Sequence, residues 1–182
     1  MKKTLTILVL ALCVSMVGHA QEYKPFQLYF GLGFASPSGG GVGVLIDLEP
    51  SYRVNDQIAV GLRFESAAMA KSLTPDIDAK ISAVGSYTVN ARYYLGESSF
   101  RPYVGAGLGL YALGTVEADI STGGASAATV DAGTKFGFYP RVGFDFGHLN
   151  VNLDYNIVGK SDDIKNSYMG IRLGFFLFGG KK

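Results

Sequence analysis

From Phe26 to Leu177 the chain alternates apolar and polar residues through eight segments separated by turn-forming residues. Patterning with a period of two belongs to β-strands whose faces meet different surroundings. The first segment sets Phe26, Leu28, Phe30, Leu32 and Phe34 against Gln27, Tyr29, Gly31 and Gly33. In the second, Val42, Val44, Ile46 and Leu48 oppose Gly43, Asp47, Glu49, Ser51 and Arg53. The third places Ile58, Val60, Leu62 and Phe64 opposite Gly61, Arg63 and Glu65; the fourth has Val89, Ala91 and Tyr93 opposite Thr88, Asn90 and Arg92. Val104, Ala106 and Leu108 then face away from Tyr103, Gly105 and Gly107, and Phe138, Val142 and Phe144 from Tyr139, Arg141 and Asp145. The last two segments set Leu149, Val151 and Leu153 against Asn150, Asn152 and Asp154, and Ile171, Leu173 and Phe175 against Gly170, Arg172 and Gly174. Pro50 and Pro140 fall inside segments, where each lacks the N–H that a ladder needs, so a bulge, a bend or a displaced boundary is expected at both.

The connections alternate in length. Short turns are expected at 55–57, 96–99 and 147–148, and longer loops at 36–40, 71–78, 117–133 and 159–165. Short periplasmic turns and longer external loops characterise outer-membrane barrels, and an even strand count lets the last strand close on the first. The fold expected is all-β: an eight-stranded antiparallel up-and-down transmembrane β-barrel with both termini periplasmic. Upstream of the pattern, Lys2 and Lys3 precede an apolar run at 5–17 and the small residues Gly18 and Ala20. That run is shorter than the roughly 20 residues of a spanning helix. Residues 1–20 are therefore expected to be a secretory signal peptide, cleaved after Ala20, and residues 21–182 one barrel domain. No peptidoglycan-binding domain is expected after the eighth segment.

Alternation alone does not say which face meets lipid. A soluble barrel with an apolar core would show the same period. Lysine separates the two. Lys24, Lys71, Lys80, Lys135, Lys160, Lys165, Lys181 and Lys182 all fall in expected loops, termini or strand ends. The polar faces carry Arg, Asp, Glu, Asn and Tyr, together with many of the 25 glycines. Small residues and planar guanidinium groups suit a narrow lumen, whereas a water-facing strand would carry lysines along its middle. On the apolar faces, Phe26, Tyr52, Tyr93, Phe100, Phe144, Phe146 and Phe175 bunch at the expected periplasmic ends, as an aromatic girdle would.

These features resemble the small outer-membrane β-barrel family, the OmpX-, OmpW- and OmpA-barrel-like proteins. Residues 101–109, Arg-Pro-Tyr-Val-Gly-Ala-Gly-Leu-Gly, are similar to that family's mid-barrel strand, and 136–145 with 150–155 to its late hairpin. Tyr168, Gly170, Leu173 and Phe175 match its C-terminal β-signal, which implies recognition by the outer-membrane assembly machinery. The tail after Leu177 departs from members that end on the aromatic residue itself. The resemblance speaks to architecture more than to activity, because these motifs build walls.

Ten charges fall on expected lumen positions: Arg53, Arg63, Arg92, Arg141 and Arg172 against Asp47, Glu49, Glu65, Asp145 and Asp154. Eight strands enclose only enough room for side chains, so buried charges must pair, and the set is expected to form a charge-balanced plug. Turn geometry places Glu49 opposite Arg63 and Arg141 opposite Asp154. Above the charges, Leu45, Met69, Val84, Leu113 and Val158 point inward. They form either a dry cap or a small apolar pocket, through which an OmpW-like protein would bind or pass small hydrophobic molecules.

Removing Lys2 and Lys3 takes the formal charge of +1 slightly negative, which excludes the electropositive face that nucleic-acid binding needs. Cys13 is the single cysteine and lies within the leader, so no thiol chemistry is expected. His148 is the one histidine outside the leader and sits in a turn; Asp162 and Asp163 lack the neighbours of a hard-cation cage. No enzyme, cofactor or metal site is expected. The expected partners are outer-membrane lipids, and the role is structural or surface-interacting, with hydrophobic-solute binding as the alternative.

Overall fold

A computed structural model describes residues 23–70, 80–96, 98–119, 126–160 and 166–179. The expected leader, the 71–78 loop and Asp162–Asp163 lie outside these residues. Eight strands run in chain order: β1 (Phe26–Pro37), β2 (Val42–Arg53), β3 (Ile58–Ala70), β4 (Lys80–Tyr94), β5 (Phe100–Asp119), β6 (Ser126–Phe146), β7 (Leu149–Val158) and β8 (Tyr168–Phe178). Each pairs antiparallel with its neighbour, and β1 pairs with β8 to close the barrel. Closure matters because lipid cannot satisfy an open edge. Short connections follow from local chemistry. Asn55 Oδ1 accepts from the N–H groups of Gln57 and Ile58 at 2.9 and 2.7 Å, holding the β2–β3 turn. Gly147, at φ 60°, supplies the left-handed residue of the β6–β7 turn.

The alternation becomes two surfaces. Leu32, Phe34, Val44, Leu108, Phe138 and Leu173 are exposed on the outer wall, while their sequence neighbours are buried or half-buried on the inner one. The aromatic positions of the expected girdle lie on this wall at the turn end, where Phe26 faces Tyr52, Phe100 faces Phe146, and the Phe100 and Phe144 rings lie 5.0 Å apart.

Two expectations need correcting. Pro50 and Pro140 cause neither a bulge nor a boundary. Pairing resumes in unchanged register on either side, from Leu48–Phe64 to Ser51–Gly61 and from Phe138–Ile157 to Arg141–Asp154. Each proline interrupts its ladder locally and leaves the register intact. The register shifts lie instead at Leu28/Tyr29 and Leu113/Gly114. The expected loop at 117–133 is mostly strand. β5 and β6 continue pairing to Asp119–Ser126, whereas β7 reaches only Gly137 of β6. Ser, Thr, Ala and Gly with no aromatic residue read as a loop, because the segment lacks the steady alternation of a strand set between two unlike media.

Candidate functional site

The inner wall brings all ten predicted charges into the interior, each at most 5% exposed. They fall into three levels. In the level nearest the loops, Arg172 bonds Asp154 through Nη1 and Glu65 through Nη2, with Nε 3.4 Å from Asp47. Arg63 donates to Asp154 at 2.7 Å and to Asn156 at 2.8 Å, with its guanidinium 3.7 Å from the centre of the Tyr139 ring. Tyr168 donates to Glu65 and Tyr111 to Asn156, closing the cluster with neutral groups. At mid-barrel, Glu49 accepts from Arg141 at 2.8 Å, and Arg92 stands 3.4 Å away on its other oxygen. Towards the turns, Asn150 donates to Asp145, which stands 4.0 Å from Arg53.

Ion pairing runs across the lumen more than along the register. The unchanged β2–β3 register would set Glu49 across from Arg63, in the stretch where Pro50 interrupts the ladder, yet Glu49 binds Arg141 from β6. Arg141 faces Asp154 in register but stands 4.0 Å from it, a longer contact than its bond to Glu49. Barrel strands are tilted and staggered, so register partners sit at different heights, and a long Arg reaches groups at its own level.

Tyrosines fill the space between charges, and glycines admit them. A Cβ at Gly107 would collide with the Tyr139 ring, one at Gly137 with Tyr111, and one at Gly174 with Tyr29. Leu45, Met69, Val84, Leu113 and Val158 come together with Ala35, Ala67, Tyr111 and Tyr168 in one buried cluster above the charges. No group of three His, Cys, Asp or Glu among the described residues is arranged to hold a metal.

A buried, salt-bridged lumen inside an apolar outer wall describes a protein that lives in a bilayer. The family model for the outer membrane protein beta-barrel domain matches residues 5–175. The chain belongs to that family. Among solved structures it is similar to the neisserial surface protein A, NspA, at 21% identity and a TM-score of 0.60, covering 91% of this chain and all of that one. It is also similar to the Yersinia pestis outer membrane protein Ail in a phospholipid nanodisc, at 15% identity and a TM-score of 0.55, covering 84% of this chain and 99% of that one. No curated protein matches. These likenesses carry the fold, and the family places this barrel in the outer membrane, with its wall against lipid.

Membership also directs attention to what the pattern missed. Arg101 is buried inside the outer-membrane barrel, 3% exposed, so six arginines face five carboxylates among the described interior residues. Among the described residues the buried charges are therefore six against five, where five against five were expected. Arg101 shares parity with the inward Tyr103, and that signal was available in the sequence. His148 is exposed in its turn, where it lines the turn-end cavity together with Arg53 and Asp145. Of the C-terminal motif, Tyr168 and Gly170 point inward, while Leu173 and Phe175 face outward.

Proposed function

We propose that this outer-membrane barrel is a sealed, non-catalytic scaffold that presents the β5–β6 hairpin to the cell exterior for surface interaction. The observation that carries the reading is the length of that hairpin. β5 and β6 have 20 and 21 residues, against 10 to 15 in the other strands. Beyond Gly137, β6 has its ladder with β5 alone. At about 3.3 Å per residue, the ten positions from 126 to 135 carry the ribbon roughly 30 Å past the end of β7. The short turns at the other end support a periplasmic location for both termini. The fused ion-pair levels and the apolar cluster support a plug with a dry cap above it, in preference to a hydrophobic-solute site.

The test replaces residues 116–129 with a two-residue turn. The barrel is expected to fold and insert as before, while cells displaying it lose attachment to protein-coated surfaces that the intact barrel confers. Unchanged attachment would overturn the surface-interaction role. Diffraction after soaking with a fatty acid checks the cap: density among Leu45, Met69 and Leu113 would favour the pocket instead. Export through residues 1–20 belongs to the same proposal, and sequencing the envelope-resident protein is expected to start at Gln21. So does assembly through Tyr168, Gly170, Leu173 and Phe175, with Phe175→Ala expected to slow insertion by the assembly machinery.

A further inference from the structure

We propose that the turn end of the barrel holds a phosphate-type oxyanion between Arg101 and Arg53. This goes beyond the scaffold reading and does not depend on what the hairpin binds. A cavity of about 510 Å³ lies at this end, lined among others by Arg53, Arg101, Ser98, Ser99, His148 and Asp145. Two guanidinium groups are gathered there by aromatic faces. Arg53 lies 4.6 Å and Arg101 3.8 Å from the centre of the Tyr23 ring, and the same two lie 4.7 and 4.1 Å from that of Tyr94. Rings hold cations in place without neutralising them.

Arg101 is the decisive residue. Its Nη2 donates to the Asp56 carbonyl and its Nε to that of Gly96 at 3.2 Å. Nη1 has no hydrogen-bond partner among the described residues. Neutral carbonyls are its acceptors, so the guanidinium keeps its full charge in a buried place, where a charge calls for a counter-ion. Among the described residues Asp145 is the one carboxylate lining the cavity; Asn150 donates to its Oδ1, and Arg53 stands 4.0 Å from its Oδ2. Ser98 Oγ already donates to the Phe100 carbonyl at 2.6 Å, so the forked guanidinium donors beside the Ser99 hydroxyl are what match a tetrahedral oxyanion, which offers acceptors in several directions.

The chemistry suits a free phosphate or a lipid headgroup, and two probes separate them. ¹⁵N-labelled protein in phosphatidylcholine nanodiscs is titrated with inorganic phosphate; a second series adds phosphatidic acid to the disc. Saturable shifts at the amides of Ser98, Ser99 and His148 and at the Arg101 side chain are expected. Response to inorganic phosphate supports a soluble anion, and response to phosphatidic acid alone supports a headgroup. Arg101→Gln is expected to weaken binding by roughly tenfold or more. Should that variant fail to fold, Ser99→Ala, which leaves both arginines and the Ser98–Phe100 turn bond in place, is expected to weaken it severalfold with unchanged circular dichroism. Absence of a saturable shift with either probe, or undiminished binding by these variants, overturns the site.

Discussion

Arg172 meets carboxylates from three strands: Asp47 of β2, Glu65 of β3 and Asp154 of β7. Replacing it with methionine preserves most of the volume and strands three buried acids around an apolar chain. Breaking a buried ion pair by removing one partner costs about 3–5 kcal/mol. Arg172→Met is expected to lose at least that much in urea unfolding from lipid vesicles, whereas a loss under about 1 kcal/mol would mean that Arg63 neutralises the acids unaided. A second residue-scale prediction concerns packing. Gly107→Ala drives a methyl into the Tyr139 ring and is expected to cost about 1–3 kcal/mol. Combining it with Tyr139→Leu should recover part of that loss, a coupling visible in a double-mutant cycle. The inward direction of each charge was legible, because parity along a strand fixes the face. The partners were not. Pairing depends on the height of each residue in a tilted barrel, and Glu49 choosing Arg141 over Arg63 follows from stagger that no single segment encodes.

Elements were readable wherever two faces met unlike media. β1, β2, β3, β7 and β8 alternate along their full lengths, and their observed bounds lie close to the periodic segments. The outer parts of β5 and β6 were not readable, since small and polar residues crowd them and no steady alternation marks them as strand. Lys135 illustrates the point: taken as a strand-end lysine, it lies well inside β6, paired with Tyr111 just short of where β7 joins. The prolines teach a related lesson about register. Turn geometry at one end and the hydrophobic wall at the other over-determine the pairing, so one missing N–H opens the ladder without shifting it. Pro140→Val therefore leaves Phe138–Ile157 and Arg141–Asp154 paired. The restored hydrogen bond contributes about 0.5–1.5 kcal/mol, and the more flexible unfolded chain offsets about 0.4–1 kcal/mol. Near-neutral stability is expected, together with a slowly exchanging amide at position 140. Rapid exchange there would show that β7 offers no acceptor at this position.

At the scale of the whole barrel the question is whether anything passes through. Eight strands leave an interior just wide enough to be filled, and open aqueous channels belong to barrels of about 16 strands or more. Here charged or apolar side chains stand at every level. Arg53 and Asp145 occupy the turn end, Glu49 with Arg92 and Arg141 the middle, and Arg63, Arg172 and three carboxylates the level above. Leu45, Met69, Val84, Leu113 and Val158 close the top. A permeating ion would have to displace paired charges and then cross an apolar layer that offers it no ligand. Each step carries the desolvation cost that keeps buried ions paired. Purified protein in planar bilayers is therefore expected to show no large, stable conductance. Thinning the middle alone, as in Arg92→Ser/Arg141→Ser, should leave the membrane sealed because the levels above and below persist. A steady conductance from the unmodified protein would mean that the ion-pair levels part in the membrane and that the lumen acts as a gate.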